Sequence, residues 1–153
     1  MEKILYFAYG SNMCYDRIVA RLGAVKNVGT HTLHGYKLIF NAKSLTDVYA
    51  NIVPCEDSFV EGVLYEFNNE LFKLLDRYEL LYHREFFKLQ DGTLVCTYVA
   101  DTPYYLKKDK KPSLSYLNTI LEGCAKNKLD YTFNMLQEYK KKNYKLKSLK
   151  TFI

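Results

Sequence analysis

The sequence predicts an α+β fold in which a small, mostly antiparallel β-barrel is combined with helices. The chain has 153 residues, which suits one domain and is enough to bury a hydrophobic core. Aromatic residues make up 16% of it, with 15 Tyr and 9 Phe, and such rings favour β-rich packing. About six or seven strand-like segments alternate with a few amphipathic helices, and a strand set of that size can curl into a barrel.

The first elements are predicted to be a strand, a loop and a short helix. Residues 3–9 are apolar and aromatic and end at Gly10, which indicates a buried strand followed by a tight turn. Ser11 and Asn12 are residue types that cap helices, and residues 14–22 have the spacing of a short helix. Alternating or apolar segments then predict successive antiparallel strands at 25–33, 36–41, 50–53 and 59–67.

A helix and a hairpin are predicted next. The helix begins after the Asn68-Asn69 cap and runs to about Glu79, and one apolar face carries Leu71, Leu74, Leu75 and Tyr78. Strands at 86–89 and 94–100 flank Asp91-Gly92, which is a strong local signal for a hairpin.

The last third of the chain is predicted to be helical. Pro112 is well placed just before a helix that Gly123 interrupts or ends, and a final helix is expected over 130–142. No repeat or linker divides the chain, so residues 1–142 are predicted to form a single domain, followed by a basic tail at 143–153.

The net charge of +5 is concentrated in that carboxyl-terminal segment. Six of the 22 basic residues are lysines within 140–153, where no acid occurs, which leaves 16 basic against 17 acidic side chains in the rest. A lysine-rich end is typical of a solvated helix end or tail. Nucleic acid is therefore not an expected partner, although docking of acidic partners by the tail stays open as a weaker alternative.

Cysteine and histidine usage argues against disulfides and metals. Four cysteines at 14, 55, 96 and 124 are scattered without a C-x-x-C pair, which predicts reduced thiols in the cytoplasm. The three histidines lack the spacing of a zinc site, so no metal is expected. No apolar run approaches the roughly 20 residues of a membrane helix, and the first apolar stretch is too short for a secretory signal. We therefore expect no membrane partner.

The loop after the first strand is one candidate binding element. Tyr9-Gly10-Ser11-Asn12-Met13 has neither a phosphate-loop nor a dinucleotide fingerprint, and Ser11 is not in a G-x-S-x-G nucleophile elbow. A glycine and two small polar residues at the start of a helix do present backbone N–H groups that could hold an anion. An ordinary capped turn explains the same residues, so both interpretations stay open.

Glu79 is the candidate proton carrier. At about 100° per residue it falls beside Leu75, at the edge of the apolar stripe, whereas Asp76 and Arg77 point away. A carboxylate at such an edge loses hydration, which raises its pKa toward the range of a general acid/base. An exposed glutamate at the helix end, paired with a Lys or Arg, is the open alternative.

Residues 6–13 have the sequence YFAYGSNM, and Leu75-Asp76-Arg77-Tyr78-Glu79 follows about 65 residues later. These two segments resemble the two motifs of the γ-glutamylcyclotransferase family and occur in the family's order. The glycine-bearing strand at 59–65 also matches the family pattern. Segments within 112–131 are similar to the helical portion of the γ-glutamylcyclotransferases proper. The resemblance therefore spans nearly the whole chain.

The resemblance implies a small mixed, mostly antiparallel β-barrel with flanking helices. It also implies a cofactor-independent enzyme that converts a γ-glutamyl amino acid or γ-glutamyl amine to 5-oxoproline and releases the amine. In that reaction the substrate's α-amine attacks its own γ-carbonyl, and the family's acid/base role falls on Glu79. The family's binding loop falls on Tyr9, Gly10, Ser11 and Asn12.

The family's loop tyrosine has two counterparts here. Tyr82 is the nearest, but a gap-free register would place Phe86 there instead, and Leu80-Leu81 stands where the family has a glycine. The expected partner is a small γ-glutamyl molecule, and a homodimer is left open. The alternative function is a non-catalytic binding or scaffold homologue of the same fold.

Overall fold

A computed structural model describes residues 2–144 of the chain. It confirms the α+β fold class, with five strands and four helices in this part of the chain. The strands are β1 (Ile4–Ala8), β2 (Lys26–Lys43), β3 (Val48–Phe67), β4 (Tyr82–Lys88) and β5 (Leu94–Ala100). The helices are α1 (Tyr15–Leu22), α2 (Asn69–Asp76), α3 (Leu114–Lys126) and α4 (Asp130–Asn143), with 3₁₀ turns at Ser11–Met13 and Thr102–Tyr104.

The strands form one mixed sheet in the order β2-β3-β1-β5-β4. The β1–β5 pair is parallel and the other three pairs are antiparallel, as predicted. The barrel is not closed, because no backbone ladder joins the edge strands β2 and β4 within residues 2–144. The sheet nevertheless curls, since the rings of Tyr36 on β2 and Phe87 on β4 meet edge to face at 5.2 Å.

Fewer strands are present than predicted, because two pairs of predicted segments each form one long strand. Residues 25–33 and 36–41 merge into β2, and 50–53 and 59–67 merge into β3. The β2–β3 register shifts between His34 and Tyr36, where Gly35 adopts a φ of +85°. Such a bulge takes up one extra residue without ending the pairing. The residues between 33 and 36, which were predicted to separate two strands, therefore form a bend within one continuous strand.

Helix α2 is shorter than predicted and buries different residues. The Asn68 cap is confirmed, since its side chain accepts a hydrogen bond from the Leu71 N–H at 2.9 Å. The predicted apolar face is wrong at Leu74 and Tyr78, which are exposed, whereas Phe72 is fully buried. The helix ends at Asp76, and tighter bonds from the N–H groups of residues 77–79 turn the chain away from the helical path.

Gly123 does not interrupt or end α3, contrary to the prediction. A Cβ at this position would lie 2.8 Å from the backbone nitrogen of Cys14. The glycine therefore allows α3 to pack directly against the 3₁₀ turn that follows β1. Glycine is needed at this position for close packing, but glycine also commonly ends helices. The sequence pattern therefore wrongly predicted a helix end at Gly123.

The remaining predictions about helices and turns have mixed outcomes. The β4–β5 hairpin is confirmed, with Gly92 at a φ of +91° in its turn. Helix α4 continues to Asn143, and the Tyr144 hydroxyl donates to the Pro112 carbonyl, so these two residues of the predicted tail belong to the fold. The rest of the tail, residues 145–153, lies outside the described residues. Within residues 2–144, every helix is too short or too polar to cross a membrane.

Candidate active site

The loop after β1 is built into the centre of the fold. Strand β1 pairs with β3 on one side and β5 on the other, so the residues that follow it emerge from the middle of the sheet. Ser11 and Asn12 are buried, and the Tyr9 hydroxyl donates to the Tyr98 carbonyl at 2.6 Å. Gly10 packs closely, because a Cβ there would lie 3.3 Å from that of Ala50. The loop is therefore held from several directions.

Two side chains from distant elements fix the backbone of this loop. The Tyr65 hydroxyl on β3 donates to the Asn12 carbonyl at 2.8 Å, and the Asn127 side chain donates to the Met13 carbonyl at 3.0 Å. The N–H groups of residues 10–12 donate to no acceptor among residues 2–144. Unpaired donors of this kind are available to an anion, as the anion-binding interpretation of this loop requires.

Replacing Tyr65 with Phe tests how firmly the loop is held. The variant keeps the ring but leaves the buried Asn12 carbonyl without its donor, so we expect the free energy of unfolding to fall by about 1–3 kcal/mol. Chemical denaturation measures this loss. The matched variant Tyr131→Phe, at an exposed tyrosine, should leave the stability unchanged. Equal stability of the Tyr65→Phe variant and the parent would contradict the assigned role.

Glu79 meets this loop through a small polar network. Its Oε1 accepts from Asn12 Nδ2 at 3.1 Å and from an Arg21 guanidinium nitrogen at 3.4 Å. Asn12 also donates to the Tyr6 hydroxyl at 2.9 Å, and Arg21 donates to Asn12 Oδ1 at 3.1 Å. Both donors to Glu79 reach Oε1, so Oε2 is the oxygen left for a ligand. The predicted loop and the predicted carboxylate thus touch directly.

Burial dominates the acidity of Glu79. The side chain is only 14% exposed, and desolvation raises its pKa above the ordinary value of 4.5. The charge of Arg21 and the hydrogen bond from Asn12 oppose this change without reversing it. The predicted rise in pKa has the predicted cause, but the residue lies in the turn after α2 rather than in the helix. The alternative interpretation was an exposed Glu79 paired with a Lys or Arg. The pairing with Arg21 is present, but the Glu79 side chain is not exposed.

The loop and Glu79 line a common cavity. Its other walls are Tyr6, Tyr9, Ala50, Thr97, Tyr98 and Tyr116. Its inner volume is about 40 Å³, and the volume is about 300 Å³ when the open mouth is included. The inner part thus holds roughly three water-sized groups, enough for a carboxylate or an amine. A larger ligand must extend outward through the mouth.

Tyr82 does not line this cavity. Its hydroxyl donates to the Ala50 carbonyl at 2.6 Å, so it supports the cavity wall from behind. Phe86, the other counterpart of the family tyrosine, is exposed further along β4. Neither register of the family pattern places an aromatic side chain from β4 in the cavity.

The sequence analysis did not assign three of the tyrosines in the cavity wall to the site, namely Tyr6, Tyr98 and Tyr116. Tyr116 accepts a hydrogen bond from the Ala50 N–H at 3.0 Å, which leaves its own proton free to donate. Tyr98 donates to Asp76 at 2.7 Å, although Asp76 was predicted to point away. Tyr6 belongs to the first motif itself, so its place in that motif was a usable signal. The positions of the other two depend on the packing of β5 and α3.

Arg21 was also missed. It lies on the last turn of α1 and reaches both Asn12 and Glu79. A cation on a short helix directly after the motif was a weak signal, because most such residues are solvated. No group of His, Cys, Asp and Glu within residues 2–144 is arranged to hold a metal ion.

Comparisons with known proteins identify a family and related folds. A family model described as "Gamma-glutamyl cyclotransferase, AIG2-like" matches residues 6–118. A solved structure described as a gamma-glutamyl cyclotransferase is 26% identical, with 89% of this chain and 87% of that chain covered and a TM-score of 0.77. An uncharacterized protein from Homo sapiens is also 26% identical, with 90% and 88% covered and a TM-score of 0.78.

A more distant structure shares the fold. YkqA from Bacillus subtilis is 23% identical and has a TM-score of 0.70, with 88% of this chain but 55% of that chain covered. The comparison with curated protein sequences returns no match.

Proposed function

Because the chain belongs to the gamma-glutamyl cyclotransferase, AIG2-like family, we propose that it is an enzyme that forms 5-oxoproline from a γ-glutamyl amino acid or γ-glutamyl amine and releases the amine. The observation that carries this proposal is the contact between Asn12 and a largely buried Glu79 of raised pKa, in a cavity that Gly10, Ser11 and Asn12 also line. The chemistry is that of a lyase or acyltransferase acting within one substrate molecule.

The loop would bind the γ-glutamyl end of the substrate. Its α-carboxylate would accept hydrogen bonds from the N–H groups of Gly10, Ser11 and Asn12, while Tyr9 closes one side of the cavity. The tight inner space favours a folded conformation in which the α-amine approaches the γ-carbonyl carbon. Such intramolecular positioning can contribute roughly 7–11 kcal/mol toward lowering the barrier.

Glu79 would carry the proton. As the neutral α-amine attacks, an N–C bond forms and the nitrogen loses a proton to the Glu79 carboxylate. The same carboxyl group then returns the proton to the leaving nitrogen as its bond to the γ-carbon breaks. The Tyr116 hydroxyl, with its free proton, is our candidate donor to the carbonyl oxygen as negative charge develops there. In this scheme one N–C bond forms as another breaks, and the proton lost by the attacking amine is gained by the leaving amine, so the reaction requires no cofactor.

Release of 5-oxoproline from a panel of γ-glutamyl dipeptides and γ-glutamyl amines is the direct test. We expect cyclisation of at least one member, detected as equal amounts of 5-oxoproline and free amine by chromatography. Inactivity across a broad panel would overturn the proposal.

The pH dependence offers a second test, through Arg21. Glu79 must be ionised to accept the first proton, so kcat/KM should rise with pH through an apparent pKa above 4.5. Since the charge of Arg21 lowers this pKa, the Arg21→Gln variant should move the acid limb to higher pH. Lys126→Gln, which removes an exposed cation, is the control that should not move it. An unchanged limb in the Arg21→Gln variant would contradict the role of Glu79.

We place the reaction in the cytoplasm. All four cysteines are free, and three of them are buried, which suits a compartment that keeps thiols reduced.

The small inner cavity supports a second candidate function, a binding or scaffold protein that retained the fold. About 40 Å³ of inner space would suit capture of a small carboxylate without turnover. Calorimetry distinguishes the two functions, because a binding protein would retain an intact γ-glutamyl ligand that the enzyme would cleave.

A further inference from the structure

The turn between β2 and β3 exposes a leucine at one end of the sheet. Residues 44–47 form this turn, and the Ser44 N–H donates to the Asp47 carbonyl across it at 3.0 Å. The Ser44 hydroxyl also accepts from the Asp47 N–H at 3.0 Å, so the turn has a defined shape. Leu45 is fully exposed on it, because nothing in residues 2–144 covers this side chain. The turn thus presents an apolar group to any partner that approaches.

An apolar groove begins beside this turn. Its volume is about 680 Å³, and its walls include Leu45, Tyr49, Leu81, Tyr104, Tyr105 and Leu106. Tyr104 and Tyr105 are each close to half exposed, and an isolated β-bridge pairs Tyr105 with Ala42 near the end of β2. Tyrosine has an apolar ring and a polar hydroxyl, which suits the boundary between water and an apolar phase. Leu45 and these two rings therefore form one partly apolar surface.

A lysine-rich loop continues from the groove to the end of α4. Residues 105–111 form this loop, which runs beside β2 because the Lys110 N–H donates to the Phe40 carbonyl at 2.8 Å. The Lys111 side chain donates to the Asn143 carbonyl at 3.3 Å, and this contact joins the loop to α4. The turn, the loop and the end of α4 are therefore neighbours. We call the surface that they form the lysine face, and it consists of residues 43–48, 104–114 and 138–144.

The lysine face is strongly positive. Its segments contain eight lysines but only three carboxylates, those of Asp47, Asp109 and Glu138. The eight are Lys43, Lys107, Lys108, Lys110, Lys111, Lys140, Lys141 and Lys142. Only Lys141 forms an ion pair with a carboxylate of residues 2–144, with Glu138 at 3.6 Å. Most of these positive charges are thus available to an anionic partner.

The rest of the chain has the opposite balance of charge. Of the 22 basic residues, eight lie in the lysine face and three in residues 145–153, so 11 remain elsewhere, together with 14 of the 17 acidic residues. A distribution of this kind orients a protein in the field of a negatively charged surface. The modest net charge of +5 therefore conceals a much stronger charge on one face.

The apolar side chains distinguish between anionic partners. A nucleic-acid backbone would pair with the lysines and leave Leu45 and the tyrosine rings in water. A bilayer that contains anionic lipids offers negative head groups to the lysines and an apolar interior to the leucine. The lysine face also contains no arginine, whose planar fork suits the individual phosphates of nucleic acids. These features favour a lipid surface.

We propose that the lysine face binds the surface of an anionic lipid bilayer, with Leu45 inserted below the head groups and the rings of Tyr104 and Tyr105 lying among them. The inference is independent of the proposed function, because it uses none of the residues assigned to the binding or cleavage of the substrate. Our expectation of no membrane partner rested on the lack of a segment that could span a bilayer, and contact with its surface needs none.

Sedimentation with lipid vesicles tests the proposal on the full chain. The vesicles contain either phosphatidylcholine alone or phosphatidylcholine and phosphatidylserine at a ratio of about three to one. We expect the anionic vesicles to be bound more tightly by about tenfold or more, and this binding should weaken as salt screens the lysines. Equal binding to both kinds of vesicle, or no binding to the anionic vesicles, would overturn the inference.

Replacing two lysines measures the electrostatic part of the binding. Lys107→Gln combined with Lys108→Gln should lower the affinity for anionic vesicles by about 10- to 30-fold and reduce its salt dependence, since each lysine near such a surface contributes about a factor of five. Lys3→Gln combined with Lys73→Gln is the matched control, because it removes the same charge at exposed positions beside Glu66 and on α2. Equal losses for the two pairs would show attraction by net charge alone and would contradict a specific face.

Replacing the exposed leucine measures the apolar part. Leu45→Ser should lower the affinity by about tenfold at every salt concentration and leave the salt dependence unchanged. Leu94→Ser is the control, because Leu94 is also exposed but lies level with the end of β3, far along that strand from the turn. Unchanged binding of the Leu45→Ser variant would mean that the leucine stays in water, which is incompatible with the proposed insertion.

A short DNA duplex separates a lipid surface from the other class of anionic partner. Binding to the duplex that depends on Lys107 and Lys108, without binding to anionic vesicles, would assign the lysine face to nucleic acid and overturn the inference. The lysine and leucine variants change only exposed side chains, so each should keep the parental Tm and release 5-oxoproline from a soluble substrate at the parental rate. Loss of vesicle binding with both of these properties retained would support the lysine face as the lipid contact.

Discussion

The Glu79→Gln variant is expected to lose nearly all 5-oxoproline formation, with kcat lower by about 100- to 10,000-fold. Glutamine keeps the size of the side chain and can still contact Asn12 and Arg21. It cannot take a proton from the attacking amine or return one to the leaving nitrogen. Single-turnover measurement of 5-oxoproline release checks this expectation on the best substrate of the panel.

Two controls make the Glu79 result specific. Glu70→Gln removes a mostly exposed carboxylate from the start of α2 and should leave kcat unchanged. Calorimetry on the Glu79→Gln variant should show that the substrate still binds, which excludes unfolding as the cause. A variant that retains substantial activity would show that another group transfers the proton.

The Gly62→Ala variant is expected to have the second largest effect, a loss of about 1–3 kcal/mol or more in the free energy of unfolding. A Cβ at Gly62 would lie 2.6 Å from the ring of Phe7 and 2.7 Å from the Ala8 carbonyl oxygen. Phe7 is fully buried, and the Ala8 carbonyl belongs to the backbone of the central strand β1. Neither group can move away from a new Cβ without a loss of stability. The strands β1 and β3 would have to separate at the point where the binding loop begins.

Thermal unfolding measures this effect, with a fall in Tm of about 2–4 °C for each kcal/mol. Because the displaced residues lead directly into Tyr9 and Gly10, KM for the best substrate should rise as well. Glu56→Ala, at an exposed position of the same strand, is the matched control and should change neither quantity. An unchanged Tm in the Gly62→Ala variant would mean that the strands separate without cost.

Much of the site could be predicted because its two parts are marked by local patterns. The loop from Tyr9 to Asn12 is a glycine and small polar residues after an apolar strand, and the structure buries it at the end of β1. Glu79 was predicted from helical periodicity, yet the helix stops at Asp76 and the turn beyond it carries the carboxylate into the cavity. The expected rise in the pKa of Glu79 is present, although the helical geometry from which it was predicted is wrong.

The contact between Arg21 and Glu79 could not be predicted in the same way. The two residues are 58 positions apart, and only the packing of α1 against the turn after α2 brings their side chains together. No short window of sequence contains such a meeting. Tyr82 illustrates the converse, because the motif pattern offered it as a site residue and the structure turns its hydroxyl toward the Ala50 carbonyl.

The amino-acid sequence by itself determined the order of the elements and singled out the loop after β1 and Glu79 as candidate site residues, since caps, alternation and turn glycines act over a few residues. Only the tertiary structure decided that two pairs of strands merge, that the sheet stays open, and that Gly62 and Gly123 are sites of close packing. The same holds for the burial that raises the pKa of Glu79 and for the Arg17 Nε, which has no hydrogen-bond partner among residues 2–144. Close packing and desolvation depend on contacts between atoms from distant parts of the chain, and these contacts form only when the chain folds.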